Sequence, residues 1–400
     1  MLLIPRKNHI GLMKKIFANY GRKKSAVSSS LPATSQAYYY QTGKPVWSGR
    51  NYSKFSDEAY IRNVIAHQSV ARIANAAASV TFKLKKGDGY VDIGKHAIGK
   101  LLKNPNPGTG RAEFFVGVYS FKLISGNSYI LALGADAPVE LHSLRPDRVS
   151  VIAGSGGMPA GYRYALGNNK NKDYKVAQVL HLKCFHPLDD WYGLAPVEAA
   201  AYSIDQHNQA SAWNQALLQN GARPSGALVV KQNGEAGGNL SDEQYNRIKA
   251  QIDDEFVGSG NAGRPILLEG GLDWKEMSLS PKDMDFINAK HASARDIALA
   301  FGVPPQLLGI PGDNTYSNLQ EARLALWEQT VVPLVCVTAD ALNRWLLPMF
   351  DDSMELSADI EGISVLALRN QAIWDRVERA TFLTEDEKRA AVGYGPKKTV

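Results

Sequence analysis

The chain has 400 residues, of which 44% are hydrophobic and 21% are charged, so it has the composition of a folded protein with more than one structural unit. The net charge of +6 is modest for this length, with one dense basic cluster at Arg22-Lys23-Lys24, which argues against a surface built for tight DNA binding. No apolar run approaches about eighteen residues, which predicts no membrane span, and Cys184 and Cys336 predict buried free thiols in a reducing cytoplasm.

The first half of the chain predicts a mixed α+β unit. Residues 1–37 are basic and then Ser-rich, which predicts a flexible arm. Residues 57–79 predict the first strong helix, with one face formed by Tyr60, Val64, His67, Ala71 and Ala74. Between residues 80 and 190, VTFKLK, SYILALG, RVSVIAG and YRYAL predict strands, and EFFVGVYSFKLI predicts a helix.

Two long predicted helices then bracket a small insert. The first covers 196–220 and is polar nearly all round; the second covers 281–302 and carries apolar residues at a spacing of three or four. The insert, 222–280, predicts a strand (SGALVVKQ), an amphipathic helix, and two strands joined by Gly270-Gly271. This arrangement would place the insert at the end of a helical stalk, as in a ring or tube component.

The last quarter predicts a loop followed by helices. Residues 303–316 hold several prolines and glycines and predict an exposed loop. The longest helix follows, to about Leu347, and Pro333 inside it predicts a kink. From residue 363 the tail is helical again. Two capping boxes are predicted to begin helices here, Ser317 with Gln320 and Thr384 with Glu387.

One segment has the spacing of a phosphate-binding loop. Gly94 to Lys100 follows a strand-like stretch and fits Gly-x4-Gly-Lys, but position 101 is Leu where a magnesium-ligating Ser or Thr is needed. The run HAIGKLLKN instead predicts a helix that buries Ile98, Leu101 and Leu102. We therefore expect no ATP site here.

A metal or catalytic site is also not predicted. His181, Cys184 and His186 are close in sequence, but VLHLKCFH alternates like a strand, so His181 and Cys184 would point to opposite faces. The acidic pairs Asp189-Asp190 and Asp351-Asp352 read as loop charges. We expect no enzyme, no cofactor and no metal.

Several stretches, in order, resemble the portal proteins of tailed bacteriophages and gene transfer agents. They are LLKNPNPGTGRAEFF with ISGNSYILAL, LHSLRPDRVSV, HPLDDWYGLAPVEAA, NGARPSGALVV, FGVPPQLLGIPGDNTYSNLQEARLALWEQTVVPLV and FLTEDEKRAAVGY. The likeness covers about residues 55–395. No single motif is decisive, but their shared order makes coincidence improbable.

The resemblance implies an α+β, multi-domain portal fold that assembles into a twelve-subunit ring around a central channel. The implied parts are a flexible arm (1–37), a wing (38–194), a first stem helix (195–221), a clip (222–280), a second stem helix (281–302), a tunnel loop (303–316), a long kinked helix with the wing return (317–361) and a helical crown (362–400). The implied tunnel-loop candidates for contact with DNA are Ile310, Asp313, Asn314, Thr315 and Tyr316. The clip candidates for contact with terminase or adaptor are Lys231, Gln232, Asn233, Glu235, Ser259 and Asn261.

The resemblance also implies a function and partners. The ring would occupy one capsid vertex of a virion or particle, assembled in the cytoplasm of a bacterial host. It would admit double-stranded DNA, bind the terminase large subunit and the major capsid protein, and later seat the head–tail adaptor, with no membrane involved. Two alternatives remain open at this stage: an adaptor or minor capsid protein without a DNA channel, and a packaging ATPase that uses Gly94 to Lys100.

Overall fold

The computed structural model describes residues 52–392, apart from 88, 135–136, 155–157, 168–169, 220–225, 231–240, 257–271, 277–285, 313–314 and 352. The helices are α1 (Val64–Ser79), α2 (Ala97–Lys103), α3 (Arg111–Ser125), α4 (Pro196–Ala199), α5 (Ala201–Gln219), α6 (Asp242–Phe256), α7 (Phe286–Ala300), α8 (Tyr316–Leu326), α9 (Val332–Trp345), α10 (Ala367–Arg379) and α11 (Glu385–Ala391). A short helical turn, Tyr52–Lys54, and a π-helical turn, Phe55–Ile61, precede them.

The strands are short, and the described strand pairs are all antiparallel. They are β1 (Phe82–Lys86), β2 (Gly89–Val91), β3 (Asn127–Leu133), β4 (Glu140–Leu144), β5 (Val149–Ala153), β6 (Pro159–Gly167), β7 (Lys170–Lys175), β8 (Val179–Lys183), β9 (Gly226–Val230), β10 (Leu272–Glu276) and β11 (Met354–Ala358). Their orders are β11-β1-β2, β4-β3-β8, β5-β6-β7 and β10-β9. The α+β class and the four strands predicted before residue 190 are confirmed.

The main core lies where α1 and α3 pack against each other and against β1, β3, α9 and β11. Small residues such as Ala66, Ala74 and Ala77 are fully buried on α1, so the two helix backbones approach closely. A second, smaller cluster of Tyr129, Leu144, Val149, Tyr162 and neighbours joins the sheets β4-β3-β8 and β5-β6-β7. The fold thus has one large core and a satellite core.

The first predicted helix is wrong at its start. It does not run unbroken from residue 57, because the side chain of Asn63 accepts hydrogen bonds from the N–H groups of Ile65 and Ala66 and begins α1 anew. The buried face therefore shifts to Ala66, Val70, Ile73, Ala74 and Ala77. Of the predicted face, Ala74 is buried, whereas Val64 is 61% exposed.

The long helical segment after residue 315 is interrupted as Pro333 predicts. A π-helical turn, Trp327–Val331, separates α8 from α9, and Pro333 lies in the first turn of α9, where its missing N–H costs least. The predicted cap is wrong, because Thr315, not Ser317, accepts from the N–H of Asn318. Gln320 donates to the Tyr316 hydroxyl and completes no capping box.

The same segment, Tyr316–Met349, is the one described helix that is long and apolar enough to cross a membrane by length and composition alone. Its apolar residues Val331, Val335, Ala339 and Leu342 are buried in the main core. Packing within the fold therefore accounts for part of the apolar composition of this helix.

The remaining predicted elements are largely as expected. The helix predicted from 196 to 220 is divided at Ala200 into α4 and α5. In the insert, β9 and β10 pair with each other, while the strand predicted before Gly270-Gly271 lies outside the described residues. The capping box of Thr384 and Glu387 is confirmed, since each backbone N–H donates to the other side chain.

Candidate functional site

Helices α5 and α7 lie side by side and run antiparallel. Three contacts along the pair establish this direction: Ser203 to Asp296 at 3.3 Å, Ser293 to Gln206 at 3.2 Å, and the rings of Trp213 and Phe286 at 5.0 Å. The residue number rises along one helix while it falls along the other. The ends of α5 and α7 that adjoin the insert therefore lie together, as do the ends that adjoin the core.

Helix α5 is polar over most of its surface. Of its 19 residues only Ile204 and His207 are buried. His207 faces the side chain of Asn63, which also donates to Asn208 at 2.9 Å, and burial lowers the pKa of His207 below its usual value. This network fixes α5 to the start of α1 at the core end, while most of α5 stays in contact with solvent in the single chain.

The segment after α7 folds back onto that helix. Gly302 has a left-handed backbone (φ 67°), and the N–H groups of Gly302 and Val303 bond to the carbonyls of Leu299 and Ala298, which ends the helix in a Schellman motif. A 3₁₀ turn, Pro305–Leu308, follows. Its Leu307 is buried, as is Val303, so the predicted exposed loop over 303–316 is wrong in its first half.

Ile310 is buried in this chain rather than exposed. Its side chain is 4% exposed and packs on Ala294 and Ala298, which are one helical turn apart on α7. Small residues on α7 leave a groove that an isoleucine fills, so apolar burial decides its direction. The burial of Ile310 argues against the prediction that it projects towards DNA.

The exposed part of the segment begins at Pro311. The guanidinium of Arg295 donates to the Pro311 carbonyl and fixes this point to α7. Pro311, Gly312, Thr315 and Tyr316 are all exposed, Tyr316 to 78% of its surface; these four residues are called the tip below. Of the other predicted residues, Asp313 and Asn314 lie outside the described residues.

The clip candidates cannot be located in the same way. Lys231, Gln232, Asn233, Glu235, Ser259 and Asn261 all lie outside the described residues. The described part of the insert consists of β9, α6 and β10.

The segment from Gly94 to Lys100 does not form a phosphate-binding loop. Helix α2 already begins at Ala97, and the Nδ1 atom of His96 accepts from the N–H of Ile98, which occupies a donor that a phosphate would need. Gly99 is inside the helix, where a Cβ would collide with the Ile93 carbonyl. The glycine therefore serves close packing, and Ile98, Leu101 and Leu102 are buried as predicted.

The residues considered for zinc each have a different partner. His181 donates through Nε2 to Asn127 at 2.9 Å and stacks on Tyr129 with 4.3 Å between ring centroids. Nδ1 of His186 accepts from the N–H of Leu188, and Cys184 lies against the backbone of α3. No group of three or more His, Cys, Asp or Glu able to hold a metal occurs within the described part of the chain.

The structure also gives the contacts of Asp351 and the burial of the two cysteines. Asp351 accepts from Ser353 and forms an ion pair with Lys86 at 3.1 Å, contacts that lower its pKa to about 2. Cys184 and Cys336 are free, but they are partly rather than fully buried.

Sequence reasoning did not identify the buried polar junction around Asn127. The Asn127 amide oxygen accepts from Gly193 N–H at 2.7 Å as well as from His181, and its amide nitrogen donates to the Ser125 carbonyl at 2.8 Å. Gly126 and Gly193 approach so closely that a Cβ on either would collide with the other's carbonyl. The sequence feature that could have identified this junction is the Gly-Asn-x-Tyr pattern. It lies where α3, β3, β8 and the loop before α4 meet.

The family model described as phage portal protein matches residues 65–393. An uncharacterised protein of Rickettsia bellii is 47% identical over 342 residues, which is 84% of this chain and 88% of its own length. The portal protein of Enterobacteria phage HK97 is 22% identical over 339 residues, which is 83% of this chain and 76% of its own length.

Two solved structures of gene transfer agent necks contain a similar chain. In both, the sequence identity is 42%, and the match covers 89% of this chain and 96% of that chain. The TM-score is 0.69 for the empty particle, computed with six-fold symmetry, and 0.67 for the native particle, computed with twelve-fold symmetry.

Proposed function

Because the chain belongs to the phage portal protein family, we propose that it is the subunit of a portal ring, through which double-stranded DNA enters and leaves a capsid. The observation that carries this proposal is the antiparallel pair α5–α7, in which α5 is polar over most of its surface and α7 leads into an exposed tip. The likeness to a chain in the neck of a native gene transfer agent particle, a structure computed with twelve-fold symmetry, supports a ring of twelve subunits.

Assembly into a ring would cover apolar side chains of α7 that are exposed in the single chain. Ile287 and Leu299 on α7 are 69% and 78% exposed, so α7 presents apolar side chains that a neighbouring subunit could bury. In a head-to-tail ring, neighbouring subunits bury such residues through heterologous contacts. We assign 195–221 and 281–302 to the stem, 222–280 to the clip, 38–194 with 317–361 to the wing, and 362–400 to the crown.

A channel for DNA needs walls that let a polyanion slide. Each phosphate that the wall neutralises adds affinity and slows movement. Helix α5 carries a single formally charged residue, Asp205, and α7 carries Lys290, Arg295 and Asp296. This low and mixed charge suits a sliding contact, with Thr315 and Tyr316 of the tip facing the duplex.

The partners follow from the same role. We propose that the ring occupies one vertex of the capsid, contacts the major capsid protein, and presents the clip first to the terminase large subunit and later to a head–tail adaptor. Assembly would take place in the cytoplasm of a bacterial host. ATP hydrolysis belongs to the terminase in this scheme, so the purified ring should show no magnesium-dependent ATP turnover, in line with the packed helix α2, which begins within the segment from Gly94 to Lys100.

No observation favours the two alternatives. An adaptor without a DNA channel would not account for the long paired helices α5 and α7. A packaging ATPase would need a phosphate-binding loop, which the start of α2 does not form.

Substitution of Tyr316 tests the channel assignment. Tyr316→Lys would place one positive charge per subunit at the tip, which adds phosphate contacts and should slow translocation. We expect unchanged particle yield but less nuclease-protected DNA per particle, whereas the uncharged control Tyr316→Gln should package normally. Normal packaging by Tyr316→Lys, with Tyr316 on the outer surface of the ring, would contradict the assignment.

A further inference from the structure

The tip follows directly on a part of the chain that is packed on helix α7. Ile310, the residue before the tip, is 4% exposed and lies against Ala294 and Ala298. Its backbone N–H donates to the Pro305 carbonyl at 3.3 Å, which closes the turn on the helix. The tip therefore begins at a point that is fixed on α7.

A polar contact extends this attachment into the tip. The guanidinium of Arg295 donates to the carbonyl of Pro311, the first residue of the tip. Its neighbour on the helix, Asp296, instead accepts from Ser203 of α5 at 3.3 Å. Helix α7 therefore contacts the tip through Arg295 and helix α5 through Asp296.

Gly312 leaves the space that the guanidinium occupies. A Cβ at this position would lie 3.1 Å from a terminal nitrogen of Arg295, closer than ordinary van der Waals contact. The φ of Gly312 lies outside the left-handed region, so the backbone itself does not require glycine here. The missing side chain therefore serves the contact between Arg295 and Pro311.

On the basis of the portal function proposed above, we propose that Arg295 is a positioning residue for the DNA channel. By fixing Pro311 to α7, it sets how far the tip extends towards the duplex. A guanidinium suits this role because its planar group loses less conformational entropy for each hydrogen bond than a lysine does. The reach of the tip then follows the position of α7 in the ring.

An exposed arginine near DNA has a second conceivable role, direct contact with phosphates. That role needs the positive charge, whereas positioning needs the bond to Pro311. Arg295→Met removes both the charge and the bond. Gly312→Val keeps the charge but displaces the guanidinium from the carbonyl, so the two variants distinguish the roles.

The first experiment is hydrogen exchange of the purified full-length protein, read by mass spectrometry. The Ile310 amide is hydrogen-bonded, so it exchanges when its turn opens. In Arg295→Met the peptide that contains Ile310 should exchange about fivefold faster, which corresponds to the loss of one hydrogen bond of ordinary net strength. Arg295→Lys keeps a donor and should stay closer to the wild type. The matched control Arg323→Met removes the same charge from an exposed position on α8 and should leave the exchange unchanged.

The second experiment measures nuclease-protected DNA per particle. Arg295→Met and Gly312→Val should both give a normal particle yield with a loss of protected DNA, because both release the tip. Arg295→Lys should recover part of that loss, and Arg323→Met should package normally. A defect that merely destabilised the fold would instead lower the particle yield.

The proposal is overturned if Arg295→Met leaves the exchange of the Ile310 peptide unchanged, or if Arg323→Met accelerates it equally. Normal packaging by Gly312→Val together with defective packaging by Arg295→Met would also overturn it, since the charge alone would then matter. Hydrogen exchange needs neither DNA nor a capsid, and ring formation is read separately by electron microscopy. Failure here is therefore distinguishable from failure of the portal assignment.

Discussion

Gly302 ends α7 with a backbone that disfavours any side chain. Its φ of 67° lies in the left-handed region, and an added Cβ would lie 2.8 Å from the Thr330 hydroxyl, which donates to the Gly302 carbonyl at 2.7 Å. Gly309 has a similar φ of 70°, but no atom lies within 4 Å of its Cβ position. Substitution of Gly309 would therefore measure the cost of backbone strain alone, and substitution of Gly302 would measure that cost together with the cost of the steric conflict.

We predict that Gly309→Ala lowers the free energy of unfolding by about 1 kcal/mol, the cost of a left-handed alanine. Gly302→Ala should cost about 2–3 kcal/mol, because the Thr330 contact is disrupted as well. Chemical denaturation of both variants measures the difference. Equal losses would show that the contact between Gly302 and Thr330 adds nothing.

His181 is predicted to make the fold sensitive to acid. Burial lowers its pKa to about 4, whereas the unfolded chain titrates near 6.5. Between these values the unfolded state binds more protons than the folded state, so stability should fall as the pH falls from about 7 to 4.

The variant His181→Gln keeps a donor for Asn127 and cannot titrate. Its free energy of unfolding should therefore fall less between pH 7 and pH 5 than that of the wild type, in paired denaturation experiments. Identical pH dependence of the two proteins would contradict a neutral, buried His181.

At the level of single elements, the start of α8 gives a test next to the tip. Thr315 caps this helix, whereas Ser317 is exposed inside its first turn. Thr315→Ala should lower the free energy of unfolding by about 1 kcal/mol, the usual cost of a lost N-cap. Ser317→Ala should stay within about 0.5 kcal/mol of the wild type, because it removes only an exposed hydrogen bond between the Ser317 and Thr315 hydroxyls. A larger loss of stability for Ser317→Ala than for Thr315→Ala would instead support the capping box of Ser317 and Gln320 that the sequence predicts.

Element types were predictable where the pattern is local. The strands before residue 190 and the helix that buries Ile98 follow from alternation and apolar spacing, and the structure has them. The boundary at Asn63 was missed because a good helical pattern runs through it, and a side-chain cap outweighs that pattern. The direction of Ile310 was missed because it depends on the groove left by Ala294 and Ala298, which are distant in sequence.

At the scale of the whole molecule, the family was predictable because several motifs occur in the right order along the chain. The partners of Asn127 were not predictable, since they come from β8 and from the loop before α4. No spacing in the sequence brings these residues together; the packing of β3 against β8 and α3 does so. The tip was only half predicted, because the chain folds back on α7 before it becomes exposed.

The measurement that tests the portal assignment most directly is single-particle electron microscopy of the purified protein at micromolar concentration, across several salt concentrations. We predict closed rings with an open centre, with Thr315 and Tyr316 on the inner wall and α5 packed against neighbouring subunits. A thirteen-fold ring would still agree with the account, since rings that close in the absence of a capsid can differ by one in their number of subunits. A monodisperse monomer in every salt condition, or rings with Tyr316 on the outer face, would contradict the account.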